Sequence, residues 1–174
     1  MRFPNDPKDI FAALNQGRVR YLVVGGIAAV FYGVPRTTFD ADIAVELEVK
    51  NLGRLDRVMK SLGFLPRVPA QVTGLADPAT RSLWTRQKAM KVFSYMENRK
   101  PFRVLDVMVR PLTGFDRLYR GRTTVKYAGV AVPLIPVASL IKMKRKAGRV
   151  EDLRDVAFLE FIQRQTELRR RQAS

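Results

Sequence analysis

The 174-residue chain contains neither cysteine nor histidine. Without cysteine there can be no disulfide and no thiolate metal site, which fits a reducing compartment, and we expect a cytoplasmic location. Without histidine there can be no Ser-His-Asp triad, no histidine general base and no imidazole metal ligand. Any chemistry must therefore rest on carboxylates, lysine, arginine, tyrosine, hydroxyl groups or a hard metal ion.

Long apolar runs are also missing. The sequence has no stretch of the ~18 apolar residues that would predict a transmembrane helix. The first residues, MRFPNDPKDIF, lack the apolar centre of a signal peptide. Apolar residues still make up 47% of the chain, which is enough for a folded core. The length predicts one domain, and we expect no membrane partner.

Acidic residues are scarce beside basic ones. Lys and Arg number 32 against 16 Asp and Glu, a formal charge of +16, and residues 117–174 hold 14 of the basic and 5 of the acidic residues. Such an excess favours a polyanionic partner, namely nucleic acid, the phosphates of a nucleotide or an anionic surface. The alternative is that the charge only keeps the protein soluble.

Four of those acids fall on one side of a single predicted strand. Between residues 39 and 49 apolar side chains alternate with Asp40, Asp42, Glu46 and Glu48. Aspartate is a poor strand residue, and like charges two residues apart repel each other. A divalent cation such as Mg²⁺ would cancel the repulsion of Asp40 and Asp42, because it prefers oxygen ligands. Glu46 and Glu48 are interpreted as a solvated face.

A third acid, Asp106, lies in the apolar strand FRVLDVMV. A lone carboxylate there is costly unless it is paired, hydrogen-bonded or metal-bound. If this strand lies beside the strand of Asp40 and Asp42, three carboxylates converge and could hold one or two metal ions. The alternative is a structural ion pair between Asp106 and an arginine.

Gly25 and Gly26 follow the apolar run 21–24 and precede the short helical pattern IAAVFYG. We interpret them as a tight turn. Glycines let backbone N–H groups approach a phosphate closely, and a helix N-terminus adds a positive dipole. By itself the pair is a weak signal, since most such pairs are only turns.

The remaining pattern predicts an α+β fold: a small mixed β-sheet with helices packed on one face, followed by a C-terminal helical pair. We expect a core over residues 1–135 and the helical segment over 136–174, packed on that core. Asn51 is predicted to cap a helix that ends at Gly63, and residues 66–79 are predicted to be a loop. Hairpins are predicted for strands 89–96 with 102–109, and for 122–127 with 130–134.

The C-terminal helices carry a basic run, KMKRKAGR, in which Lys142, Arg145 and Lys146 share one face. This face is either solvated or a track for a nucleic-acid backbone that the arginines at 169–171 extend. The buried side of the last helix is predicted at Leu153, Val156, Phe158, Leu159 and Ile162, and Phe161 is also predicted to be core. Asp152 and Asp155 are expected to pair with Arg149 or Arg154.

The segment VVGGIAAVFYGVPRTTFDADIAV, residues 23–45, resembles the signature of the nucleotidyltransferase superfamily with a DNA-polymerase-β-like fold. That signature is an apolar strand, GG or GS, a short helix, then D-x-D or D-x-E, with a third acid on a later strand. The segment PVASLIKMKRKAGRVEDLRDVAFL also resembles the AbiEii-type toxin branch of these enzymes. Lys144, Arg149, Asp152 and Asp155 match its pattern, whereas Glu151 stands where lysine is common. Residues 51–100 do not contribute.

The resemblance implies transfer of an NMP group from an NTP, such as ATP, to an acceptor hydroxyl, with release of pyrophosphate. Asp40, Asp42 and Asp106 would be the catalytic residues and the ligands of Mg²⁺ or Mn²⁺. The residues implied to hold the nucleotide are Gly25, Gly26, Arg36 and Lys144. Glycine at position 26 replaces the serine that the family often has there, so a hydroxyl contact is lost.

Four acceptors or roles stay open. The first is RNA, in particular the acceptor end of tRNA, for a toxin-antitoxin-type enzyme with a cognate antitoxin protein as a further partner. The others are a small hydroxylated molecule such as an antibiotic, a partner protein, and a binding module without catalysis. The positive charge favours RNA over a cationic small molecule.

Overall fold

The computed structural model describes residue 3, residues 5–98 and residues 103–172, the last four without their side chains. The helices are α1 (Lys8–Gln16), α2 (Gly25–Tyr32), α3 (Val49–Ser61), α4 (Pro78–Gln87), α5 (Phe115–Arg120), α6 (Val137–Ala147) and α7 (Val150–Gln172), with a 3₁₀ helix at Val72–Ala76. The strands are β1 (Tyr21–Val23), β2 (Ala41–Val45), β3 (Phe64–Pro66), β4 (Val92–Glu97), β5 (Val104–Met108), β6 (Thr123–Tyr127) and β7 (Val130–Leu134). The predicted α+β class and the C-terminal helical pair are confirmed.

The strands form one mixed sheet in the order β3-β4-β5-β2-β1-β7-β6. β2 is antiparallel to β1 and parallel to β5, and both predicted hairpins, β4 with β5 and β6 with β7, are present. Every residue of β1 is buried, whereas buried and half-exposed residues alternate along β5. Both faces of the sheet are therefore covered at β1, and the prediction of helices on one face only is wrong there.

Helix ends follow the expected glycine chemistry. Gly33 ends α2 and Gly148 ends α6, each in the left-handed conformation that glycine adopts without strain. The apolar stripe of α1, which is Ile10, Phe11 and Leu14, is buried as the helical spacing predicts. These local signals set the lengths of the elements that surround β1.

Asn51 does not cap α3, contrary to the prediction. The helix begins at Val49, and Asn51 is buried within its first turn. Its side-chain oxygen accepts a hydrogen bond from the N–H of Arg20 at 2.8 Å, and its amide donates to the carbonyls of Arg20 and Glu46 at 3.0 Å each. Asn51 therefore joins the start of β1 to the end of β2, a role that its sequence neighbours do not reveal.

The region 66–79 is also more ordered than the predicted loop. Pro66 is the last residue of β3 and pairs with Tyr95 of β4. The 3₁₀ helix that follows buries Val72 and Leu75. Asp77 then caps α4 by accepting hydrogen bonds from the N–H groups of Ala79 and Thr80.

The last helix has apolar residues on two sides, and only one of them is buried. Val156 and Leu159 are in the core, as predicted. Phe158 is 47% exposed and Phe161 57% exposed, so the prediction that both are core residues is wrong, as it is for Leu153. The arginines at 169–171 lie outside the described side chains.

The helices α6 and α7 pack on each other, and both contact α2. The division into a core over 1–135 and a helical segment over 136–174 stays a prediction. In the described part of the chain no helix combines the length and the apolarity needed to cross a lipid bilayer.

Candidate active site

The sheet places Asp42 of β2 directly opposite Asp106 of β5. Neighbouring strands lie about 4.8 Å apart, and opposite residues of a pair point to the same face, so the two carboxylates share one face of the sheet. Ser94 of β4 continues this row on the far side of Asp106. The predicted adjacency of the two acidic strands is therefore present.

Asp42 and Asp106 line a cavity of about 510 Å³ between the sheet, the start of α2 and the helical pair α6 and α7. The other predicted site residues that line it are Asp40, Gly25, Gly26, Arg36 and Lys144. The structure thus brings all seven predicted site residues to one cavity, although they come from three separate parts of the sequence.

Burial raises the pKa of Asp42 to about 6, and the negative charges of Asp106 and Asp40 act in the same direction. A hydrogen bond from the N–H of Gly26 and the charge of Lys144 oppose this shift only in part. The pKa of Asp40 is also raised, by partial burial and by Asp106, while Arg67 lowers it. The three carboxylates therefore repel one another in this cavity, and the repulsion shows in the raised pKa values of Asp40 and Asp42.

Asp106 keeps one buried carboxylate oxygen, Oδ1, without any hydrogen-bond partner among the described residues. No arginine or lysine in the described part of the chain forms an ion pair with it, so the alternative of a structural ion pair does not hold there. A buried anionic oxygen without a partner is unfavourable, and a cation would satisfy it.

A hard divalent cation fits this donor set, since all the candidate ligands are carboxylate oxygens. Asp42 and Asp106 are half-buried, and Asp40 is exposed at the edge of the same cavity. The described side chains nevertheless contain no group of three acids close enough to hold one ion together. The pair Asp42 and Asp106 is therefore the candidate metal site, and Asp40 as a third ligand stays a prediction.

Gly25 and Gly26 were predicted to form a tight turn before the helix. They are instead the first two residues of α2. Gly25 has a φ of 63°, in the left-handed region. A Cβ atom at this position would lie 2.6 Å from Cγ of Asp42, closer than two carbon atoms can approach. Glycine is therefore required here by both the backbone and the neighbouring carboxylate.

At Gly26 a Cβ atom would lie 3.0 Å from Oγ1 of Thr38 and 3.4 Å from Nη2 of Arg36. A serine side chain at position 26 would compete for the space that the Thr38 hydroxyl occupies. Thr38 also lines the cavity, and sequence reasoning missed it. The signal that could have found it is its position two residues before Asp40, on the approach to the acidic strand.

Lys144 and Arg36 are held by acids of the last helix. The Lys144 ammonium group, only 4% exposed, lies 2.7 Å from Oδ2 of Asp155 and 3.1 Å from Oδ1 of Asp152. The same Oδ2 of Asp155 accepts a hydrogen bond from Nη1 of Arg36 at 2.7 Å. The prediction that Asp152 and Asp155 pair with Arg149 or Arg154 is therefore wrong.

This network joins the loop before β2 to the helical pair. Two carboxylates already neutralise the charge of Lys144. Its ammonium group therefore stabilises the cavity wall and leaves little free charge for a ligand. Arg36 is more exposed and shares its acid, so it retains donors for a ligand. Lys91 and Arg149 also line the cavity, and sequence reasoning missed both as site residues.

Of the two outer acids of the predicted strand, Glu48 is exposed, as the prediction of a solvated face requires, whereas Glu46 is half-buried. β2 ends at Val45, so Glu46 lies beyond it, where its carboxylate forms an ion pair with Arg20. Glu48 precedes α3 as its N-cap residue. Of the basic run in α6, Lys142 and Lys146 are exposed, and Arg145 pairs with Glu160 of α7.

No family model and no curated protein sequence matches the chain. Solved structures do. The lincosamide antibiotic adenylyltransferase LnuA, bound to lincomycin, superposes with a TM-score of 0.59 at 14% identity over 91% of this chain and 98% of its own. ANT(2'')-Ia in complex with adenylyl-2''-tobramycin gives 0.54 at 14% identity, over 96% and 95%.

An antigenic nucleotidyltransferase-like protein from Paracoccidioides brasiliensis gives 0.52 at 19% identity, over 86% of this chain and 71% of that one. At such identities the likeness concerns the fold. The chain has the nucleotidyltransferase fold, as the segment 23–45 led us to expect. The AbiEii-type branch stays a prediction.

Proposed function

We propose that the protein is a metal-dependent nucleotidyltransferase, which transfers an NMP group from an NTP to an acceptor hydroxyl. The observation that carries this proposal is the pairing of Asp42 with Asp106, whose Oδ1 is buried and without a described partner, beside the left-handed Gly25. Bound Mg²⁺ or Mn²⁺ would neutralise the charge of the triphosphate, and the ligands of the metal ion would be Asp40, Asp42 and Asp106.

The chain's own residues then position the reactants. The acceptor oxygen attacks the α-phosphorus, the bond from that phosphorus to the oxygen bridging to the β-phosphate breaks, and pyrophosphate leaves with that oxygen. In this proposal Asp106 would accept the proton of the acceptor hydroxyl. The N-terminus of α2 at Gly25 and Gly26, together with Arg36, would hold the triphosphate.

For the acceptor we propose RNA, in particular the acceptor end of tRNA. The formal charge of +16 supports a large polyanion. A toxin role, a cognate antitoxin protein and a cytoplasmic location belong to this same proposal. The membership of the AbiEii-type branch would connect them.

A second candidate acceptor is a small hydroxylated antibiotic. It is favoured by the likeness in fold to LnuA, bound to lincomycin, and to ANT(2'')-Ia, bound to an adenylylated tobramycin. The aminoglycoside class is cationic and would meet repulsion from a chain with this charge, which weakens the candidate.

The test is label transfer from each of the four α-labelled NTPs, with MgCl₂ or MnCl₂, to total tRNA, to lincomycin and tobramycin, or to no added acceptor. We expect labelled RNA with the wild type and none with Asp42→Asn, which keeps the shape of the side chain. Label on an antibiotic instead would replace RNA by the second candidate. Absence of transfer to every acceptor, including the protein itself, would refute the enzymatic proposal.

A further inference from the structure

A second cavity of about 300 Å³ lies between α4 and the segment that follows β5. Three arginines and two hydroxyl residues line it, together with Val109 and Pro111; they are Arg81, Arg86, Arg110, Ser82 and Thr85. No carboxylate is among the lining residues. We call this the arginine cavity.

The charges of the arginine cavity are not balanced within the described part of the chain. None of Arg81, Arg86 and Arg110 forms an ion pair there, whereas Arg20, Arg36 and Arg103 are each paired with acids. Asp77 at the start of α4 caps that helix, and its charge also acts on Arg81, so it offsets part of one of the three positive charges. Three guanidinium groups around one cavity repel one another, and an anion would relieve this repulsion.

Two of the arginines are already oriented. Nη1 of Arg81 donates to the carbonyl oxygen of Leu75 at 2.5 Å, and Nε of Arg86 donates to the hydroxyl of Ser82 at 2.9 Å. Each guanidinium keeps further N–H donors, because arginine has five. Fixed guanidinium forks beside hydroxyl groups match the geometry of phosphate oxygens.

The arginine cavity adjoins the candidate active site across the edge of one strand pair. The N–H of Val109, which lines the arginine cavity, donates to the carbonyl of Lys91 at 3.2 Å. Lys91 lines the active-site cavity, and the next pair along, Val92 with Met108, leads to Ser94 and Asp106. Val109 and the α4 residue Trp84, which stacks on Phe93, belong to the face of the sheet opposite to Asp106, so a chain molecule would pass round this end of the β4–β5 pair to reach from one cavity into the other.

We infer that the arginine cavity binds a backbone phosphate of the RNA acceptor and so holds the acceptor strand beside Asp106. This inference rests on the proposed function, since it gives the acceptor a site of its own. A small neutral or cationic acceptor carries no negative charge that could pair with these three guanidinium groups. The class of ligand is a phosphodiester, and free phosphate is the competing source of the same chemistry.

The test measures binding without catalysis. In an Asp42→Asn background, fluorescein-labelled tRNA is titrated with the protein and anisotropy is recorded at several KCl concentrations. The double variant Arg86→Gln, Arg110→Gln should bind about tenfold more weakly, and its plot of log affinity against log salt should be shallower by about 0.7–0.9 for each lost phosphate contact. The melting temperature of each variant, followed by circular dichroism, checks that it is folded.

A matched control removes the same charge elsewhere. Lys50 and Arg57 of α3 are exposed, have no ion pair among the described residues and do not line the arginine cavity. The double variant Lys50→Gln, Arg57→Gln should keep most of the affinity. An equal loss in both double variants would mean general charge attraction and would overturn the inference.

Competition separates the two sources of phosphate. If millimolar inorganic phosphate displaces the arginine-dependent part of tRNA binding as well as excess unlabelled tRNA does, the cavity is a site for the free ion and the inference is overturned. Label transfer is scored separately. Arginine-dependent tRNA binding without any NMP transfer would refute the proposed function and support the assignment of the arginine cavity. NMP transfer to tRNA that the arginine variants leave unchanged would support the proposed function and refute the assignment of the arginine cavity.

Discussion

Gly25 and Asp42 are in such close apposition that no side chain can be added to the glycine. A Cβ atom there would lie 2.6 Å from Cγ and 2.8 Å from Cβ of Asp42. The residue that begins α2 and the carboxylate at the centre of the cavity thus fix each other's position. The backbone N–H of the next residue, Gly26, is directed at the same carboxylate.

Gly25→Ala should abolish nucleotidyl transfer, because the added methyl group displaces the Asp42 carboxylate. Its left-handed backbone adds strain of about 1–2 kcal/mol to the loss in stability. Gly129→Ala is the control: its φ of 89° is also left-handed, but no atom lies within 4 Å of an added Cβ. It should lose only the stability that the backbone strain accounts for and keep full activity. Activity retained in Gly25→Ala would mean that Asp42 is not needed where the structure has it.

Asp42→Asn should stabilise the metal-free protein at pH 8. Burial raises the pKa of Asp42 from 3.8 to about 6 in the folded chain. In the pH window between these two values the folded state binds a proton that the unfolded state has released. The free energy of unfolding of the wild type therefore falls as the pH rises through it. We expect a gain on the order of 1–3 kcal/mol for the variant at pH 8.

The same comparison at pH 4 gives the control, because Asp42 is then protonated and the gain should largely vanish. Urea denaturation in the presence of EDTA at both pH values measures it. Transfer by the wild type should fall as the pH drops below about 6, since the protonated carboxyl is a poor cation ligand. An equal effect of the substitution at both pH values would contradict the raised pKa.

Lys144→Met should destabilise the protein by about 3–5 kcal/mol, because it leaves the buried carboxylates of Asp152 and Asp155 short of a counter-charge. Lys142→Met, an exposed lysine on the same helix, should change stability by no more than about 0.5 kcal/mol. Thermal and urea denaturation at pH 7 distinguish them. Similar stabilities for the two variants would show that the network around Lys144 contributes little to folding.

Thr38→Val should weaken nucleotide binding while leaving the fold intact, because it removes a hydroxyl that lies beside Gly26 in the cavity. We expect several-fold weaker binding, as for the loss of one hydrogen bond worth about 1 kcal/mol. Calorimetry with a non-hydrolysable NTP measures it. Thr37→Val, at the exposed neighbouring position, is the control. Unchanged affinity in Thr38→Val would remove Thr38 from the site.

Leu159→Ala and Phe161→Ala should differ sharply although both are apolar residues of α7. Leu159 is fully buried, and its truncation should cost about 2–5 kcal/mol. Phe161 is 57% exposed, so its truncation should cost less than about 1 kcal/mol. Urea denaturation compares them. A large loss for Phe161→Ala would mean that something covers this side of the helix in solution.

The sequence indicated both acids at the centre of the candidate site, but it left open whether their strands are neighbours. Strict alternation set the face of Asp42, and a lone aspartate in an apolar strand marked Asp106. The structure pairs the strands of Asp42 and Asp106. The two acids are expected together, since a buried carboxylate is tolerated only beside other polar groups or a cation. Gly25 was readable as a phosphate turn, but its contact with Asp42 depends on a close approach that no local pattern encodes.

The errors have one cause, which is that partners distant in sequence decide the role of a polar or apolar residue. Asparagine is a common helix N-cap residue, yet the side chain of Asn51 is buried and hydrogen-bonded to the backbone of Arg20. Asp155 has arginines beside it in sequence, yet it binds Lys144 and Arg36. Phe161 continues an apolar spacing, but the core is already filled by Val156 and Leu159 on the neighbouring side of α7.

The last helix is a wall of the candidate site, because Asp155 holds an arginine that precedes it by 119 positions. A premature stop codon ahead of Asp152 would release Arg36 and Lys144 together, without deleting Asp40, Asp42 or Asp106. Deletion mapping of this chain would therefore place an essential boundary far downstream of the proposed catalytic residues.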